Sequence, residues 1–174
     1  MRNRFGAEIT WLSYDLHPEY PPEGISRADL HARYGDTFHD RLRLQFEQQS
    51  LTYNPPVDVV PNTRLALQLT ELARERGLGP QMHDRLMDAY WSEARNIGDA
   101  EELRTLAAEV GIDDPGTAWD DPTYLERVLA STAQAHSIGV TGVPGFLLDR
   151  RLLVLGAQPR ELFAQAFEQL RIAG

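Results

Sequence analysis

Ile138-Gly-Val-Thr-Gly-Val-Pro-Gly-Phe-Leu-Leu-Asp149, continued by Arg150 to Gly156-Ala-Gln-Pro159, is the stretch whose reading decides the fold. Two apolar runs bounded by turn residues read as two buried strands. The short charged turn Asp149-Arg150 between them makes the pair antiparallel. Pro144 has no amide to donate to a ladder, which places it at the entrance of the first strand. Val143-Pro144 is also a candidate cis peptide, since X-Pro bonds are the common place for one. Pro159 then opens a final helix, with Leu162, Phe163, Ala166, Phe167 and Leu170 on the face expected to pack on the sheet.

Upstream, Ala7-Glu-Ile-Thr-Trp-Leu-Ser13 has the β-branched and aromatic content of a strand. Tyr14 to Gly24 is a proline-rich loop. A helical series follows. Ser26 caps the first helix and Gly35 ends it, and Asp36 or Thr37 starts the second, with a stripe of Phe38, Leu42 and Phe46. Leu51 to Pro61 is a break. Asn62-Thr63, Pro80, Asp99 and Asp121-Pro122 open the next four helices. The order is one strand, about six helices, two strands and a helix, which fits an α/β sheet carrying a large helical insertion at about 26–137. Residues 1–174 read as a single domain.

The 174 residues suffice for one full core. A net charge of −9, with 26 acidic against 17 basic residues, argues against nucleic acid as the partner. No apolar run approaches a membrane span, and the opening residues lack a signal-peptide core, so the expected location is cytoplasmic with no membrane partner. There is no cysteine, which removes thiolate nucleophiles and Cys-based metal sites from this chain. The five histidines show no metal-ligand spacing, and no nucleophile elbow, P-loop or dinucleotide fingerprint occurs. No catalytic residue and no metal site is assigned.

Four stretches together resemble the DsbA-like branch of the thioredoxin superfamily, and within it the FrnE-like group, which overlaps in pattern with 2-hydroxychromene-2-carboxylate isomerases and kappa-class glutathione transferases. Gly139-Val-Thr-Gly-Val-Pro144 with Phe146 is similar to that family's cis-proline loop and following strand. Gly156-Ala-Gln-Pro159 is similar to its turn into the last helix, and Pro61-Asn-Thr63 with Ala66 and Leu69 to its Pro-Asn-Thr helix start. Trp11 to Gly24 is similar to its second strand and proline-rich loop. The resemblance implies a thioredoxin-like, DsbA-type α/β sheet with a helical insertion. The family's first strand and Cys-x-x-Cys turn are missing, so the fold expected is a truncated one. Leu67, Gly145 and Arg150-Arg151 depart from the family's pattern.

The activity implied by the family is thiol–disulfide oxidoreduction or isomerisation. Exchange needs an attacking thiolate, so this chain is expected to be inactive alone. The alternatives are a glutathione-dependent isomerase- or transferase-like fragment, with glutathione as its cofactor, and a non-catalytic peptide-binding or scaffold module. Candidate substrate-binding residues are Val143 and Pro144, whose backbone would pair with an extended peptide or thiol substrate. Asn62 is a candidate near the thiol ligand, against its ordinary use as a helix cap. Gly156, Ala157 and Gln158 are candidates for holding a carboxylate on backbone amides, against a plain strand-to-helix turn. A homodimer, or a partner segment completing the sheet, is expected to fill the gap left by the absent strand.

Overall fold

The computed structural model describes residues 5–35 and 37–172. Five of the eight helices among the described residues form one body. They are α3 (Arg64–Glu75), α4 (Gly79–Trp91), α5 (Ala100–Glu109), the single turn α6 (Thr117–Asp120) and α7 (Pro122–Ser137). Their inner positions pack into a core in which Leu69, Leu72, Met82, Leu103, Leu106, Ile112 and Val128 are fully buried. Burying a side chain of this size stabilises the fold by about 1.5–3 kcal/mol relative to exposure. Trp119 lies against this core and its indole N–H donates to the Leu65 carbonyl.

The expected caps set the helix starts. Asp99 Oδ1 accepts from the amides of Glu101 and Glu102 at 2.9 Å each. Asp121 Oδ1 accepts from the Thr123 amide ahead of Pro122. Asp99 and Glu102 do not complete a reciprocal capping box, because Glu102 turns instead to Arg95. Arg85 and Arg95 share Glu93, Glu102 and Glu109 in one ion-pair network that ties α4 to α5.

Three helices lie outside this body, and the first two are α1 (Arg27–Tyr34) and α2 (Thr37–Gln48). Ser26 Oγ accepts from the Asp29 amide at the start of α1, and Gly35 (φ 73°) ends it. The Phe38 side chain, expected on the α2 stripe, lies outside the described residues; Leu42 and Phe46 are half-buried. The pair is fastened chiefly by polar and aromatic contacts. Arg27 donates to the Pro56 carbonyl, to Tyr90 Oη and to His39 Nε2, while Phe46 rests on Tyr53 and Trp91.

The strands form two separate antiparallel pairs. β1 (Ile25–Ser26) with β2 (Val59–Val60) is a minimal ladder that the sequence reading did not expect, taking Ser26 as a helix cap and Val59–Val60 as part of a break. It sits where Gly24 (φ 79°) approaches so closely that a Cβ there would lie 2.6 Å from the Val60 carbonyl. β3 (Gly145–Leu148) and β4 (Leu152–Leu155) form the expected hairpin, with Phe146 opposite Val154 and Leu148 opposite Leu152. These four residues face α8 (Arg160–Ile172), where Phe163 and Ala166 are buried.

The closing hairpin and helix, with a large helical segment ahead of them, match the expected order, with two corrections. Ala7 to Ser13 is not a strand. Its residues suit one, but a strand requires a neighbour to complete its ladder. Here the chain is fixed by side chains: Ser131 Oγ donates to the Ser13 carbonyl, and the Asp15 amide donates to Thr132 Oγ1. Leu162 is the second correction, being exposed beside the covered face of α8 rather than in it. Among the described residues no helix is long and apolar enough to cross a membrane.

Candidate functional site

The hairpin's open end gathers most of the residues singled out in the sequence. The Val143–Pro144 peptide is cis. The Pro144 carbonyl accepts the Gly156 amide at 2.8 Å, so the proline corner and the Gly156 turn are tied together across the mouth of the hairpin. Gly145 starts β3 without a side chain because the room is taken: a Cβ would lie 3.1 Å from Val140 Cγ1, and Val140 is buried. At the far end Asp149 and Arg150 both take left-handed backbone angles (φ 51° and 54°), and the Arg151 amide donates to the Leu148 carbonyl. This conformation favours glycine, and the chain uses none there.

Val143 is exposed (55%). Among the described residues its amide and carbonyl have no hydrogen-bond partner, and β3 pairs with β4 alone. An unpaired run of backbone donors and acceptors beside a fixed corner is a surface on which an extended chain can add as a strand.

The other candidates are more committed. Asn62 Oδ1 accepts from the Arg64 amide at 2.9 Å and its Nδ2 donates to the Tyr20 carbonyl at 2.7 Å, so both ends of this side chain are used in starting α3 and holding the proline-rich loop. At the Gly156 turn the Gly156 amide goes to Pro144, and the Gln158 amide donates to the Gly156 carbonyl. The Gln158 side chain donates to the Leu155 carbonyl. Two of the three amides proposed for a carboxylate are therefore already engaged. The structure places Asn62 in the helical body and brings together Val143, Pro144, Gly156 and Gln158.

Buried polar groups lie elsewhere. Ser13, Asp15 and Glu71 are each at most 4% exposed. Ser13 Oγ donates to Glu71 Oε1 at 2.6 Å, Arg74 holds the same carboxylate, and Arg64 holds Asp15. Ser13 is a hydroxyl beside a carboxylate, but both are buried and Arg74 holds that carboxylate, so the pair reads as an internal fastening. The sequence reading missed them because Ser13 and Glu71 are far apart in the chain. His83 stacks on Trp11 at 3.8 Å, and burial holds its imidazole below the usual range, with Asp84 pulling the other way. Among the described residues no group of three or more His, Asp or Glu could hold a metal ion.

The comparisons with known proteins agree with this geometry. The family model of the DSBA-like thioredoxin domain matches residues 1–168. This chain belongs to the DsbA-like thioredoxin family. A solved structure, described as a probable DsbA oxidoreductase from Streptomyces coelicolor, superimposes with a TM-score of 0.86 at 31% identity, covering 96% of this chain and 76% of that one. The uncharacterized protein YwbO of Bacillus subtilis is 27% identical over 164 residues, covering 92% of this chain and 80% of its own length. The family match and the Streptomyces coelicolor structure support a fold of the thiol:disulfide oxidoreductase kind. A cysteine is the part these 174 residues do not contain.

Proposed function

We propose that this DsbA-family chain is a binding module, of FrnE-like type, that holds extended peptide segments at the Val143–Pro144 corner and does not itself exchange disulfides. The observation that carries the reading is the combination of no cysteine with an exposed, unpartnered Val143 backbone next to the cis-proline. Exchange proceeds by attack of a thiolate on a disulfide sulfur, and serine or threonine hydroxyls do not take that role. The recognition half of the family's task needs only backbone groups and a fixed edge.

Two measurements test it. Insulin reduction in the presence of dithiothreitol should run at the buffer rate; a rate above the blank overturns the non-catalytic part. Titration of an extended peptide into isotopically labelled protein should shift the amide resonances of Val143 and Gly145. Shifts confined to other parts of the chain would sink the assignment of the site.

A further inference from the structure

The outer edge of β4 is open as well. The Gly156 amide donates to the Pro144 carbonyl. Counting along the register from that bonded pair, Phe146–Val154 and Leu148–Leu152 are the hydrogen-bonded positions, while Gly145–Leu155 and Leu147–Leu153 are the non-bonded ones. The backbone groups of Leu153 and Leu155 therefore point out of the hairpin, and among the described residues β4 pairs with β3 alone. The Leu155 carbonyl takes the Gln158 side chain. That leaves the Leu153 amide and carbonyl as a donor and an acceptor on the edge.

A groove lies between this edge and α8. Leu162, Gln165, Ala166 and Gln169 line its helical side, at the spacing of one helix face. None of its nine lining residues is charged, in a chain where 25% of residues are. Arg160, Glu161, Glu168 and Arg171 belong to the same helix but not to the lining. Two of the lining leucines, Leu155 and Leu162, are 42% and 38% exposed.

We infer that this face binds a second copy of the chain, with β4 pairing antiparallel to β4 of the copy about a two-fold axis at Leu153. Such an axis stands normal to the sheet. The two hairpins join into four strands, and both α8 helices lie on one side, each turning its row of Leu162, Gln165 and Gln169 toward the other. The occupant is a copy because the face complements itself. Leu153 offers its counterpart both bonds of a hydrogen-bonded pair. A glutamine amide donates and accepts, so another glutamine matches it. Two chains of net charge −9 repel, and a charge-free face is where they meet without setting like charges against each other. The contact also covers Leu155 and Leu162. Val143 and the β3 edge stay outside it, so the inference stands independently of the peptide-binding reading.

The test is sedimentation velocity on the full chain from low to high micromolar concentration. The average mass should rise from 19.7 kDa toward twice that value, and should rise further with added salt, which screens the repulsion between copies. Gln165 is exposed on α8, and Gln165→Glu and Gln165→Lys each set a charge against its own copy. Each should weaken self-association about tenfold, while an equal mixture of the two should restore it; circular dichroism checks that both are folded. Amide hydrogen exchange at Leu153 should slow as concentration rises, and exchange at Val143 should not. A constant mass overturns the inference. So does a dimer undiminished in both variants, a mixture that associates no better than either variant alone, or Leu153 exchange that ignores concentration. An extended Val-Thr peptide that dissolves the dimer and shifts the Leu153 amide would make a foreign strand the occupant and overturn it too. A peptide that fails to shift Val143 sinks the peptide-binding reading and leaves this contact standing.

Discussion

The helical body and the hairpin lobe are built to different standards. In the body, residues such as Leu69, Leu103 and Leu106 are 0% exposed and satisfied on every side. In the hairpin the inward positions Leu148 and Val154 are still 8% and 7% exposed, and the outward Leu147 and Leu155 are 47% and 42%. The hairpin has one covered face, on α8, and each of its two strands has an unpaired outer edge. On the proposed reading, stability and recognition fall to different halves of the chain. A surface that must accept another backbone has to leave donors and acceptors unpaired, and the helical body supplies the packing that the hairpin lacks.

That division gives the largest expected effect. Leu69→Ala should cost about 2–5 kcal/mol in urea unfolding, the range for truncating a sealed core position. Leu147→Ala should cost less than about 1 kcal/mol, because solvent already covers half of that side chain. Equal costs would erase the distinction between the two regions.

The next test lies where the leading segment joins the body. Ser13→Ala removes the hydroxyl that donates to Glu71 and leaves that buried carboxylate to Arg74. A loss of about 1–3 kcal/mol is expected. Ser131→Ala, which frees only a carbonyl, should cost less. Within the hairpin, Arg150→Gly should raise stability by about 1 kcal/mol, since glycine takes the left-handed backbone at no steric cost. A decrease in melting temperature would show that the Arg150 side chain matters more than its backbone.

The smallest effect is titration. Burial lowers the His83 pKa in the folded chain. Above its unfolded value, about 6.5, the group is neutral in both states and costs nothing. As pH falls through that value the unfolded chain takes up the proton more readily, so stability declines until the lower folded pKa is reached. Urea midpoints at pH 7.5 and 5.5 should differ, and His83→Gln should flatten the difference. An unchanged slope in that variant would remove His83 as the cause.

Much of this was readable from local rules. Ser26, Asp99 and Asp121 cap helices because a cap is chosen within three or four residues of the groups it satisfies. The β3–β4 hairpin was readable because its turn and both runs lie within one short stretch. Ala7 to Ser13 misled because strand character in a sequence describes a segment, whereas a strand is a relation between two. The β1–β2 ladder escaped because two residues carry no period. At the site, Val143 and Pro144 were visible as turn chemistry. The engagement of the Gly156 and Gln158 amides depends on how the chain folds back and has no signature in the order of residues.

The fastening of Ser13 and Asp15 has a consequence for how this part of the protein can vary. A strand in a ladder is gripped by its backbone, which every residue type supplies, so its sequence can drift widely. Here the grip comes from Ser13, Ser131 and Thr132 themselves, together with Glu71 behind them. Ser13, Ser131 and Thr132 are each tested against one specific partner while the exposed Leu12 is not, so tolerance should narrow sharply at the end of the segment that looks most like an ordinary strand.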